Sequence, residues 1–396
     1  MRGLIIDTTD QPWEESRGFK LTELERPTLN EVENPDDASS VIVKVKFAGI
    51  CGSDRGLWYR NAFKDQFLAA LERDGKKQRV TGHEFVGEVV EIGSKVNSLY
   101  WDPDPKNIAK IEIGSLVSGD SHVTCGKCYQ CRIGEANVCM NEAILGITID
   151  GIFAEYVKLP AKNLWAMDPH RIRPEIAAIM DPFGNAIHAL TKVDVRGQRV
   201  AVFGAGPIGL FSILIAQKFG AAKVIAVDIS PSNLEMAKQC GADETILIEQ
   251  RGKAHSWEHD ENVVERIKEI TYGKGVDISM EMAGPASSVN NAIDSTRRGG
   301  HIVLFGIKDG DMVIPHFPRL IVAGLTIHCI IGREIFHTWQ LSQRVLSQAS
   351  NGVQSKVWDV ILKGGQDTVL NLSEFDPDTF ERKMNEHPKL VFNMEQ

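Results

Sequence analysis

Residues 200–216 form a run of 17 uncharged, mostly apolar residues, nearly long enough to span a membrane as a helix. Gly204, Gly206, Pro207 and Gly209 interrupt it, so it reads as a strand over 199–203, a tight turn and the opening of a helix. In that setting Gly204-Ala205-Gly206-Pro207-Ile208-Gly209 is a dinucleotide fingerprint. Its glycines allow the turn, the close approach of a pyrophosphate and tight helix packing. An ordinary strand-to-helix turn is the other reading of such glycines, but it does not require the acid that Asp228 supplies at the end of the next apolar run, 223–227. A carboxylate there binds the adenosine ribose hydroxyls. No Arg follows Asp228 within five residues to receive a 2′-phosphate, so NAD is favoured over NADP.

Further strands at 276–281, 301–305 and 325–330 alternate with helical stretches, which predicts an α/β fold with a doubly wound parallel sheet, a Rossmann domain over 186–331. The first third differs. Short apolar runs at 41–47, 85–92 and 151–159, separated by turn residues, predict a mostly β domain. The tail, a helix at 338–348 and a strand ending at 389–393, is expected to complete it, so that this domain comprises 1–185 and 332–396. Two stretches look inserted: 61–77, with Phe63, Phe67, Leu68 and Leu71 at helical spacing, and the polar 98–110.

Cys125, Cys128, Cys131 and Cys139 have the spacing C-x2-C-x2-C-x7-C, and four thiolates this close suit one tetrahedral zinc in a lobe over about 122–140. Filled entirely by protein, such a site is structural. The seven cysteines, without a legible export signal in the first ten residues, suit metal binding in a reducing cytoplasm rather than disulfides. The chain carries 53 acidic against 44 basic side chains, a net charge of −9, which argues against nucleic acid as a partner. With the 200–216 run assigned to the turn, no membrane segment is expected either.

A second, open metal site must come from distant residues, and Cys51, the His83-Glu84 pair and Asp181 are the candidates. Taken singly, Cys51 reads better as a buried apolar-like residue and His83 as a satisfied core histidine. Their neighbours decide: Gly49-Ile50-Cys51-Gly52-Ser53-Asp54, then Gly82-His83-Glu84 running into 85–93, the four-cysteine lobe and the glycine fingerprint. In this order and identity the chain resembles the zinc-dependent medium-chain alcohol dehydrogenases over nearly its whole length. Asp181-Pro182-Phe183-Gly184-Asn185-Ala186-Ile187-His188, His122 ahead of the lobe, and Gly332-Arg333-Glu334-Ile335-Phe336-His337-Thr338-Trp339 look like L-threonine 3-dehydrogenases, with sorbitol dehydrogenases next.

The resemblance implies a GroES-like catalytic domain beside the Rossmann domain, two zinc ions per chain, and NAD-linked oxidation of a secondary alcohol to a ketone. It makes Cys51, His83 and Asp181 ligands of the catalytic zinc, with Glu84 close enough to bind or exchange. Asp54 would hold the other nitrogen of His83. Ser53 would take the proton of a small-molecule alcohol. Relatives pass that proton to a histidine three residues further on; here that residue is Gly56, a position expected to tolerate a histidine. His122 is expected either to face the substrate or to support the lobe, and Arg333 either to reach the cofactor pyrophosphate or to pair with Glu334. Glu281 is expected to line the cofactor crevice or to cap its strand. A threonine-like amino alcohol, a polyol or sugar alcohol, and more remotely a non-catalytic dinucleotide binder are the functional readings, with a homo-oligomer, dimer or tetramer, as the assembly.

Overall fold

In the computed structural model, which describes residues 1–99, 110–249, 255–308 and 310–396, the chain divides into two units. The first contains Met1–Pro182, Glu334–Ser347 and Leu362–Gln396, and the second Phe183–Arg333 and Gln348–Ile361. The segment Gln348–Ile361 thus falls in the second unit rather than in the first, where the sequence pattern put it; Lys356 Nζ reaches Cys240 O there at 3.3 Å.

The second unit is built on six parallel strands in the order Glu244–Leu247, Lys223–Asp228, Arg199–Phe203, Val276–Glu281, Thr296–Leu304, Thr326–Cys329. Val200, Ala201, Val202 and Val224 through Val227 are fully buried, as expected where helices cover both faces of a parallel sheet. The order reverses beside Arg199–Phe203, whose carboxyl end carries the fingerprint.

In the first unit the ten-residue strand Ser40–Gly49 pairs with Glu84–Ile92, Tyr156–Pro160 and Val391–Asn393, all antiparallel. Its register sets Gly49 opposite both Glu84 and Val391. Three remote segments, 49–53, 82–84 and 389–391, therefore meet at one end of the sheet. The strand expected over 151–159 is shorter. Gly151, Ile152 and Phe153 instead give their amides to Val80, Gly82 and Thr81, a close backbone crossing in which a Cβ on Gly151 would fall 2.2 Å from Gly82 O. The inserted stretch at 61–77 contains the helix Lys64–Asp74, which buries Phe67 with Trp13 at a ring separation of 5.2 Å. Residues 100–109 of the second stretch lie outside the described residues.

Candidate active site

Cys51 ends the approach from the Ser40–Gly49 strand and caps the helix Gly52–Trp58: its sulfur accepts from the Asp54 amide, while Asp54 Oδ2 accepts from Cys51 N at 2.8 Å. The ligating atoms of Cys51, His83 and Glu84 all lie within 4.8 Å of one another. Backbone packing enforces this. A Cβ on Gly49 would fall 2.2 Å from Glu84 Oε2, and Gly82, at φ +84°, would drive one into the Phe153 ring.

His83 sits between two partners. Ser53 Oγ is 3.3 Å from Nε2, and the fully buried Asp54 places Oδ1 3.7 Å from Nδ1. Burial disfavours the imidazolium, but Asp54 and Cys51 outweigh it and raise the pKa of His83 to about 10. Burial likewise pushes the Asp54 carboxyl up, against the pull of His83. His83 Nδ1, Asp54 Oδ1 and Glu84 Oε1 are buried without hydrogen bonds. A sulfur, an imidazole and a carboxylate converging with unsatisfied buried atoms fit a divalent metal of zinc's preferences. Asp181, the remaining expected ligand, is not brought into this group; its Oδ2 accepts from Ser121 N at 3.1 Å. A backbone donor holds that carboxylate.

Lys389 was not legible in the sequence as a site residue. It is 2% exposed, donates to Ile50 O at 2.8 Å and forms a very short ion pair with Glu84 Oε2. The register of Val391 against Gly49 delivers it.

The four lobe cysteines also come together. Cys128 and Cys125 place their sulfurs 3.9 and 3.6 Å from that of Cys139, against about 3.8 Å expected around a zinc with 2.3 Å bonds. Amides of Lys127 and Cys128 lower the Cys125 thiol to about 6, whereas burial and its sulfur neighbours push Cys131 up. A cation is needed to hold all four as thiolates. Just ahead of the lobe, His122 directs Nδ1 to Glu142 Oε2 at 2.6 Å.

On the second unit, Gly206 caps the helix Pro207–Lys218, and a Cβ on Gly209 would collide with Gly204 O at 1.9 Å. Asp228 accepts from Ala205 N at 2.6 Å and from Ser230 N at 2.7 Å, so its carboxylate stands directly against the fingerprint. Arg333, 3% exposed, donates to Asn185 Oδ1 at 2.9 Å, and His188 Nδ1 meets Gly332 O at 2.9 Å. The sequence placed Asn185 and His188 in a motif without a task; they anchor the Gly332-Arg333 turn.

Gly56 departs from expectation. It is buried, Asn61 N donates to its carbonyl at 3.0 Å, and a Cβ would sit 2.7 Å from that of Ala62. The inserted stretch has closed over the position, which does not accommodate a histidine.

Sequence profiles agree with this architecture: an alcohol dehydrogenase GroES-like domain matches residues 37–169 and a zinc-binding dehydrogenase domain residues 207–348. The chain belongs to the zinc-dependent medium-chain alcohol dehydrogenases, and it is an oxidoreductase dependent on zinc and a nicotinamide dinucleotide. Within that family it is 34% identical to the L-threonine 3-dehydrogenase of Caldanaerobacter subterraneus subsp. tengcongensis, over 86% of each chain. It is 35% identical to that of Bacillus subtilis, over 81% of this chain and 84% of the relative. Among solved structures, the alcohol dehydrogenase TADH of Thermus sp. ATN1 matches with a TM-score of 0.76 and 25% identity over 99% of both chains.

Proposed function

We propose that the chain oxidises the secondary hydroxyl of an L-threonine-like amino alcohol with NAD. The observation that carries this reading is the convergence of Cys51, His83 and Glu84 within 4.8 Å, with the Ser53 hydroxyl 3.3 Å from His83. Cys51, His83 and Glu84, joined by Asp181 when its side chain turns from Ser121, would hold the catalytic zinc. Cys125, Cys128, Cys131 and Cys139 would hold the structural one. Gly204, Gly206, Pro207, Ile208 and Gly209 would cradle the NAD pyrophosphate with Arg333, and Asp228 would take the adenosine ribose diol. When bound, zinc supplies a Lewis acid to the alcohol and NAD accepts a hydride.

This chain's residues do the rest. Ser53 Oγ would relay the alcohol proton, taking it from the substrate while releasing its own to water, since Gly56 stands where relatives carry the next acceptor. Asp54, with Oδ1 3.7 Å from Nδ1, would orient the His83 ring so that Nε2 is left for the metal. His122, held by Glu142, would face the substrate. The relatives' identity as threonine dehydrogenases supports the amino alcohol over a polyol. NAD reduction measured with L-threonine, sorbitol, inositol and 2,3-butanediol tests it: L-threonine should give the highest kcat/KM, and a polyol exceeding it would replace this substrate assignment.

The same reading includes a homo-oligomer in the cytoplasm. Thr326–Cys329 is an uncharged edge strand, next in sequence to exposed Ile321 and Val322, 72% and 69% accessible. Pairing with its own copy about a twofold axis would close this edge.

A further inference from the structure

Glu281 is a fully buried carboxylate to which none of the roles above gives a task. It ends the strand Val276–Glu281, which adjoins Arg199–Phe203 at the point where the strand order reverses. In open parallel sheets a dinucleotide lies across the carboxyl ends of the strands at that point, one mononucleotide on each half. Asp228 marks the adenosine half. The half beginning with Val276–Glu281 is left for the nicotinamide nucleotide.

There Glu281 ties three turns together. Its Oε1 accepts from Ala283 N at 2.9 Å and Gly284 N at 2.8 Å, and its carbonyl accepts from Phe305 N at 3.0 Å and Gly306 N at 3.1 Å. Met282 N donates to Phe203 O at 2.8 Å. The packing leaves no slack: a Cβ on Gly204 would lie 2.8 Å from that of Ala283, and one on Gly306 2.2 Å from Gly284 N. The fingerprint, the 282–284 turn and the 305–306 turn are therefore interlocked around Glu281, whose carbonyl holds the 305–306 turn and whose side chain holds the 282–284 turn. That side chain is expensive to keep here. Burial pushes its carboxyl pKa up against the Ser288 hydroxyl and the two amides, and Oε2 is buried without a hydrogen bond.

We propose that Glu281 is a positioning residue for the nicotinamide half of the dinucleotide, clamping the 282–284 turn against Gly204 so that both form a fixed floor beneath it. The proposal rests on dinucleotide binding, so its test separates the two halves of the ligand. NADH and ADP-ribose, which lacks the nicotinamide, are titrated against the zinc-loaded protein by fluorescence and calorimetry.

Glu281→Ala should weaken NADH by about tenfold or more, the scale of losing the two amide bonds, and leave ADP-ribose within about twofold. Glu281→Gln, whose oxygen still accepts from both amides, should recover most of that loss. If Glu281→Ala fails to fold, Glu281→Asp withdraws the carboxylate by one methylene and should show the same selective loss. The proposal is overturned if the variant weakens both ligands equally, if NADH affinity stays within about twofold, or if Gln is as damaging as Ala. Failure of the wild-type protein to bind either ligand would instead refute the cofactor assignment itself.

Discussion

Replacing Lys389 by Met removes one member of a buried ion pair while roughly preserving its volume. Both side chains are almost inaccessible, 1% for Lys389 and 0% for Glu84, so water cannot take over for the lost ammonium. Glu84 Oε2 loses its partner, Oε1 has no hydrogen bond to begin with, and Ile50 O loses a donor at 2.8 Å. Leaving one charge of a buried pair uncompensated costs about 3–5 kcal/mol. At about 2–4 °C per kcal/mol for a unit of this size, chelator-treated Lys389→Met should melt roughly 6–20 °C below the chelator-treated wild type. Removing the charge as well, in Glu84→Gln/Lys389→Met, should recover about 2 kcal/mol or more relative to the sum of the single changes. Zinc should narrow the gap, because a cation at Cys51, His83 and Glu84 would compensate the carboxylate that the lysine no longer reaches. Calorimetry of metal-free and zinc-loaded samples measures all of this. A metal-free Lys389→Met protein melting within about 2 °C of wild type would show that the pair is not a structural charge clamp.

Four further outcomes are expected. Cys128→Ser should lower zinc content toward one ion per chain and the melting temperature with it, since the lobe has little core of its own; elemental analysis finding both ions retained would contradict the ligand set. Ser53→Ala should lower kcat by about a hundredfold or more with zinc content unchanged, and an unaltered pH–rate profile would mean that the proton leaves by another route. Asp228→Ala should narrow the kcat/KM advantage of NAD over NADP, and a wild-type enzyme indifferent to the 2′-phosphate would remove the basis for that role. Gly56→His should cost about 1–3 kcal/mol in thermal unfolding through the clash with Ala62, whereas a fully stable variant would show that the inserted stretch can open.

Much of the molecule is written locally. Strand, glycine turn, helix and Asp228 follow one another within 30 residues because each is a short-range constraint: a positive φ, a close backbone approach, an acid at a strand end. The lobe is local too, four thiols inside 15 residues, and so is the helical spacing that buries Phe67. The edge strand Glu244–Leu247 escaped because four residues at a sheet margin carry little periodicity. What the tertiary structure decided is pairing across long separations. Lys389 meets Glu84 across 305 residues only because Val391 and Glu84 share Gly49 as their register partner, and a one-residue slip would send either side chain to the opposite face. Gly56 is closed off by a residue of the following loop rather than by anything on its own helix, so its spacing from Ser53 could not show that a histidine has no room. Asp181 was legible as a ligand type, but whether its carboxylate faces a metal or the Ser121 amide depends on a donor supplied by the bend ahead of His122, 60 residues away. Sequence patterns report what a residue demands of its neighbours in the chain, whereas the charge, room and hydrogen bonds a buried group finds are set by whichever remote segments the sheet register brings alongside it.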